Sequence, residues 1–286
     1  MTSWLHLEPL LAVILWGGIY PGVKLGLRDI PLLSFTYLRI LLAMVVLFAV
    51  SKRGQALLLQ RTLWKPILRA GLAQTMFQLL LVAGLRWTTA SNSAILLATA
   101  PLLTAGWFAC TGREQLGRQQ WLGSVLGFMG VGLIVQGRGP DGAWFYLGGD
   151  LLALGAAGAW AWYGVAIGPV VGTLGAIQAT GWTMAVAALC FTPLALVEVG
   201  GHAWGSVSWQ AWAGLIYGAT AGMVVAMALW GKAIQRLGPI QTMLYVYLEP
   251  VSAVIIADVV LGETLYPIQA VGAVLAFVGI GLAAYR

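Results

Sequence analysis

Glu249 and Pro250 stand side by side in Tyr245-Val246-Tyr247-Leu248-Glu249-Pro250, partway along an apolar run that continues to Leu261. A carboxylate in such a run could carry a proton, bind an ammonium group, or pair with a cation such as Lys24, Arg39 or Lys232. An isolated charge at mid-membrane costs about 2.5–3.5 kcal/mol on insertion scales, so a partner is required. Gln74 and Gln78 are four residues apart and share one face of a helix. An amide in that setting must find a hydrogen bond. Met223 and Met227 repeat the spacing with thioethers, which adapt to irregular apolar shapes. Arg39 is a guanidinium inside another apolar run and needs a carboxylate or carbonyl partner. Trp16, Tyr20, Trp160, Trp162, Tyr163, Tyr245 and Tyr247 add rings, several with a group that can donate a hydrogen bond. Together these are the groups for holding a small amphipathic molecule, amides at its polar end and thioethers or rings around its side chain. Interhelical bonding and ordinary packing use the same residue types, and both uses remain open. Contacts to such a molecule are expected from Trp16, Tyr20, Gln74, Gln78, Trp160, Trp162, Tyr163, Met223, Met227, Tyr245 and Glu249. Tyr245 and Tyr247 point to different sides of their helix, so at most one of them faces the pathway.

Other chemistry lacks its residues. Gly231-Lys232 is followed by Ala233 and no G-x-x-x-x-G-K-[ST] occurs, which argues against ATP as the direct energy source. The histidines are His6 and His202, near the ends of apolar runs, and neither H-E-x-x-H nor G-x-S-x-G is found. No enzymatic activity, metal or cofactor is therefore expected. No TVGYG-like filter suggests a channel. Cys110 and Cys190 lie within apolar runs and read as small packing residues.

The elements that must position these groups are membrane helices. Hydrophobic residues make up 60% of the chain, charged residues 8%, and the mean hydropathy is +0.88. Soluble domains carry about 25% charged residues. Ten apolar segments can be drawn, at 8–25, 31–50, 67–85, 90–110, 120–136, 147–168, 175–197, 209–230, 239–261 and 267–285. Met1 to Glu8 lacks the basic stretch of a cleavable signal, so the first segment is expected to remain as a helix. If the segments alternate in direction, Lys52, Arg53, Arg61, Lys65, Arg69, Arg113, Arg118, Lys232, Arg236 and Arg286 fall on one side with both termini. The other side has Lys24, Arg28, Arg86 and Arg138, and Arg39 lies within the second segment. This bias predicts cytoplasmic termini and explains the net charge of +6 better than nucleic-acid binding does.

The chain also repeats itself. Displaced by 149 positions, Pro101 meets Pro250, Glu114 meets Glu263, Gly123 meets Gly272 and Leu126 meets Leu275. Phe128, Gly130, Gly132 and Leu133 meet Phe277, Gly279, Gly281 and Leu282 in the same register. Gln74 and Gln78 fall on Met223 and Met227, and Glu249 falls on Ala100. Earlier in each half the displacement is 144, pairing Trp16 with Trp160 and Thr36 with Thr180. The expected fold is an all-α integral membrane protein whose ten transmembrane helices form two inverted five-helix repeats, 1–145 and 146–286, around a central cavity. An odd number of spans per half forces the inversion. Hinges are expected at the repeated pair Pro101 and Pro250, and at Pro21 and Pro169, which follow glycine-punctuated stretches of the first and sixth segments. Glu114 and Glu263 are expected to fix loops, and Asp150 to cap the sixth helix.

Each half ends in Pro, an apolar stretch, Gly-x-Glu or a near form of it, then spaced glycines, running from Pro101 to Gly132 and from Pro250 to Gly281. Gly112-Arg113-Glu114 fills the first slot, and Gly262-Glu263 are adjacent in the second. With Trp16-Gly17, Lys24, Arg39 and Gly148-Gly149-Asp150, this pattern resembles the EamA family of the drug/metabolite transporter superfamily across essentially the whole chain. Its length and its richness in Trp and Tyr are closest in character to the YddG-type exporters of aromatic amino acids. The resemblance implies a secondary transporter that exports small metabolites, amino acids including aromatic ones, by alternating access. It also implies a multi-pass protein of a bacterial inner membrane, its partners being a small amphipathic substrate and the lipid bilayer. With both halves in one chain a monomer can function. Export of other drugs or metabolites such as cationic compounds, and an intramembrane enzyme acting on a hydrophobic substrate, are the alternatives.

Overall fold

A computed structural model describes residues 7–51, 61–100, 103, 118–136, 143–237, 244–263 and 266–284. Among them every regular element is helical. The order is α1 (Leu7–Gly17), α2 (Ile19–Asp29), α3 (Leu32–Val50), α4 (Trp64–Trp87), α5 (Ala90–Leu97), α6 (Arg118–Gln136) and α7 (Ala143–Leu174). Then come α8 (Ala176–Val199), α9 (Trp209–Tyr217), α10 (Ala226–Leu237), α11 (Glu249–Leu261) and α12 (Pro267–Ala284). Among the described residues, six helical stretches are long and apolar enough to cross a bilayer: Leu7–Asp29, Leu32–Val50, Trp64–Trp87, Tyr146–Leu174, Ala176–Val199 and Trp209–Ala233. The helices α5, α6, α11 and α12 occupy the fourth, fifth, ninth and tenth expected segments. Large apolar side chains on the outer surface, such as Leu189, Val197 and Val259, face away from the bundle. In water such a surface would be a liability; against lipid it is the solvent-matched face.

Helix boundaries follow from local chemistry. Thr89 Oγ1 accepts from the Asn92 N–H at 3.1 Å and starts α5, and Ser208 Oγ accepts from the Ala211 N–H at 3.3 Å and starts α9. Gly262 ends α11 at φ +68°, the left-handed conformation that glycine adopts without strain. Among the described residues, three of the expected segments are interrupted internally. The first turns at Gly18 between α1 and α2. The eighth widens into a π-helical stretch, Gly218–Val225, between α9 and α10. The ninth begins as a 3₁₀ turn, Leu244–Leu248, and becomes α-helical at Glu249. Pro250 thus sits in the first turn of α11, where a missing N–H breaks no ladder. Pro21 likewise lies in the first turn of α2.

Two expectations are corrected. Pro169 lies inside the unbroken α7, so the sixth segment is not interrupted there as the first is. Asp150 does not cap α7, because that helix begins at Ala143, a full two turns earlier. Its carboxylate accepts instead from Thr88 Oγ1 at 2.5 Å and Asn92 Nδ2 at 3.4 Å, tying α7 to the α4–α5 corner. Pro101, Glu114 and Cys110 lie outside the described residues.

Helices α6 and α12 cross at backbone contact. A Cβ placed on Gly279 would collide with the Gly127 nitrogen and lie 2.5 Å from the Gly123 carbonyl oxygen, whereas one on Gly281 would meet nothing within 4 Å. Both sites gain the same helix propensity from alanine, so only packing separates them. Gly279→Ala should destabilise the folded protein by about 1–3 kcal/mol, and Gly281→Ala should stay within about 0.5 kcal/mol of wild type, read from melting in detergent.

Candidate functional site

Three short helical faces converge on one cavity. Trp16, Ile19 and Tyr20 come from either side of the α1–α2 turn, and Gln74, Phe77, Gln78 and Leu81 from α4. Gly222, Met223 and Met227 come from the π-helical stretch and α10. Arg39 of α3, Leu97 of α5, Trp160 of α7, Met184 of α8, Val246 and Glu249 complete the wall. The space amounts to ≈ 670 Å³ with its open mouth included.

The helix interruptions aim these groups. A π turn inserts a residue and rotates the side chains beyond it, and the Gly222 carbonyl accepts the Trp16 Nε1–H at 3.1 Å. Trp16 therefore has a fixed indole. Its ring meets Trp160 edge to face at 6.2 Å between centroids and Trp230 at 4.9 Å. Trp160 in turn lies 4.9 Å from Phe77 and stacks on Tyr163 at 5.2 Å. The result is a continuous aromatic wall. Beginning α11 at Glu249 puts the carboxylate in the first turn of a helix, where the free N–H groups favour negative charge. Tyr20 Oη donates to Glu249 Oε1 at 2.6 Å, and both residues are buried. Arg39 Nη2 donates to Gln78 Oε1 at 2.5 Å. Among the described residues, Gln74 Nε2 has only a long contact, 3.9 Å, to Met184 Sδ.

Of the eleven residues expected to contact a small molecule, Trp16, Tyr20, Gln74, Gln78, Trp160, Met223, Met227 and Glu249 line this cavity. Trp162 is on the outer side of α7 and 43% exposed, because two residues turn a helix by about 200° from Trp160. Tyr163 is buried behind Trp160, and Tyr245 packs beside the Trp16 and Trp230 cluster. The side chain of Tyr247 lies outside the described set. Phe77 and Leu81 were legible as the i+3 and i+7 neighbours of Gln74, on the same face. Arg39 carried a signal of its own, a charge within an apolar span. Ile19, Leu97, Met184, Gly222 and Val246 had none.

Polar contacts fasten one end of the bundle. Lys24 Nζ donates to Glu263 Oε1 at 2.9 Å, and Glu263 also accepts from the Ala90 and Ser91 N–H groups at 3.2 Å each. Glu263, expected to fix a loop, thus satisfies free N–H groups at the start of α5. Glu198 accepts from the Ser34 N–H at 2.8 Å, Asp29 accepts from Ser208, and Gln269 Nε2 donates to Asn92 Oδ1 at 2.8 Å.

With this geometry in view, the chain can be set beside known proteins. A profile of the EamA-like transporter family matches residues 4–136 and again residues 147–285. The chain belongs to the EamA-like transporter family. EamA relatives include the uncharacterized inner membrane transporter YedA of Escherichia coli, 28% identical over 270 residues, 90% of this chain and 82% of that one. Another is a probable terminal-alkyne amino-acid exporter of Streptantibioticus cattleyicolor, 25% identical over 277 residues, 95% of this chain and 90% of that one. A crystal structure aligns with a TM-score of 0.67 over 99% of this chain and 97% of the other, at 19% identity, and so shares the fold. This EamA chain is a multi-pass membrane protein with transporters as its relatives.

The Lys24–Glu263 contact separates two roles in one cluster. Lys24→Ala removes a partly exposed ion pair and should lower stability by about 0–1 kcal/mol. Glu263→Ala also strips acceptors from the start of α5 and should cost a further 0.5–2 kcal/mol or so, measured by the same thermal melts.

Proposed function

We propose that this protein is a secondary transporter exporting amino acids, aromatic ones among them, by alternating access, and not an enzyme. The observation that carries this reading is the cavity itself. It brings a carboxylate held by a phenol, two amides and a guanidinium to one apolar space walled by Trp16, Phe77 and Trp160. An amino acid offers matching parts: two charged groups and a side chain that such rings accommodate. The amino-acid exporter among the relatives supports the same substrate class.

In this reading ten spans form two inverted five-helix halves, 1–145 and 146–286, with the cavity between them. The double profile match and the registered sequence repeat support that division. The polar-fastened end is then the outer face of a bacterial inner membrane, with both termini cytoplasmic, as the charge bias favours. Export requires the contacts of Lys24, Glu263, Asp29 and Glu198 to part. Pro250 and the turn at Gly18 are the places where the helices bend as they do so. One chain holds both halves, so the monomer is the transporting unit, and its partners are the substrate and lipid, not nucleic acid.

A second reading, export of cationic compounds, draws on Glu249 facing the cavity. Counterflow in proteoliposomes decides among these. Labelled phenylalanine should accumulate transiently in vesicles preloaded with unlabelled amino acid, saturably and chemically unchanged. Accumulation of an organic cation but of no amino acid would establish the second reading, and a non-saturating flux without trans-stimulation would establish a pore. Within the first reading, Gln74→Leu with Gln78→Leu should impair every amino acid. Met223→Ala with Met227→Ala should impair phenylalanine by about tenfold more than glycine, the weight of a large side chain's contacts. Equal loss for both substrates in both variants would remove the division of the cavity into polar and side-chain walls.

A further inference from the structure

Arg39 is wholly buried and is among the largest fully buried side chains of the protein. Its position is fixed from three directions. Gln78 Oε1 accepts from Nη2, the Phe35 ring lies 5.6 Å from the guanidinium carbon, and the π-helical stretch passes close by at Gly218. A Cβ on Gly218 would stand 2.9 Å from Arg39 Cδ, so that glycine makes room for the arginine. Yet Nε and Nη1 have no hydrogen-bond partner among the described residues. No carboxylate among the described residues forms an ion pair with Arg39, and Glu249 Oε1 is engaged by Tyr20 instead. Oε1 of Gln74, one turn from Gln78 on the same helical face, is also buried without a partner among the described residues.

An uncompensated buried cation is among the least favourable groups a fold can hold, and folds retain one where something arrives to neutralise it. Three of the five N–H groups of Arg39 are on Nε and Nη1, and Arg39 is one of the residues that line the cavity. The planar guanidinium matches the two oxygens of a carboxylate better than any neutral acceptor.

We infer that Arg39 is the carboxylate anchor of the cavity, so that the protein selects monocarboxylates with an apolar or aromatic side chain, amino acids among them, over their amides and amines. This inference rests on the transporter reading and sharpens it by naming the group that is recognised. Gln78 is the positioning residue that orients the guanidinium. Glu249, with one oxygen held by Tyr20, is left for the ammonium. A substrate with positive charge alone meets Arg39 as a like charge, which disfavours the cationic reading.

The test compares alanine, leucine and phenylalanine with their amides in counterflow, using wild type, Arg39→Gln and Arg39→Lys. Wild type should favour each acid over its amide by about thirtyfold or more in kcat/KM. Arg39→Gln should lose the acids by about that factor more than the amides, which abolishes the preference, and Arg39→Lys, which keeps the charge but not the fork, should recover part of it. Acid and amide carried equally by wild type would overturn the anchor and leave the transporter standing, and this arm requires no variant to fold. Equal loss of acid and amide in both variants would make Arg39 a structural residue and overturn the anchor as well. Transport of no acid and no amide by wild type would remove the amino-acid reading together with the anchor.

Discussion

A lipid environment supplies no water to an unpaired polar group, so each place where a membrane helix is broken has to find its hydrogen bonds within the protein. The breaks at Gly18, at Gly218–Val225 and at Leu244–Leu248 lie around one space and are joined by side chains that cross between them. Trp16 donates to the Gly222 carbonyl, Tyr217 Oη to the Leu15 carbonyl at 2.9 Å, and Ser252 Oγ is 3.1 Å from the Val13 carbonyl. Gly17 lets α1 lie against Ser252 and Ala253, where any side chain would collide. Irregular backbone is tolerated because the three breaks serve one another. The cavity is the space that this arrangement leaves between them.

The same constraint explains which parts of the site were legible in the sequence. Amides in an apolar run and a carboxylate beside a proline are conspicuous because lipid disfavours them, and they lie on helices that line the cavity. The spacing of Gln74 and Gln78 fixed a face, and with it Phe77 and Leu81. What spacing could not supply was rotation about neighbouring axes. Trp160 and Trp162 are equally aromatic, yet one meets Trp16 and the other faces outward. Asp150 looked like a cap because its helix was expected to start beside it; α7 begins earlier, and the carboxylate became a cross-link. Pro169 shows the converse, a proline that a long helix absorbs without breaking. Six of the expected segments are long and apolar enough to cross a bilayer, and these followed from hydropathy alone, since length and apolarity are what a bilayer selects.

The sequence repeats its framework but not the residues of the site. Gln74 and Gln78 answer to Met223 and Met227, and Glu249 answers to Ala100. In the earlier register Arg39 answers to Thr183, whose hydroxyl donates to the Thr180 carbonyl at 2.9 Å. The two charges at the cavity therefore each come from one copy only, Arg39 from the first and Glu249 from the second. Residues shared by both copies, such as the tryptophans at 16 and 160, form the wall against which a side chain would rest.

That division constrains how such a site can work. A cation and an anion drawn from different halves change their separation whenever the halves move relative to one another. A molecule that bridges both charges is held best at one separation and less well at others. Binding energy then differs between conformations, which is the condition for a ligand to shift their populations at all. A molecule that touched only the shared aromatic wall would gain little from one arrangement over another. On these grounds the asymmetry of Arg39 and Glu249, rather than the repeat in the sequence that contains them, is what would couple substrate recognition to the opening of a path across the membrane.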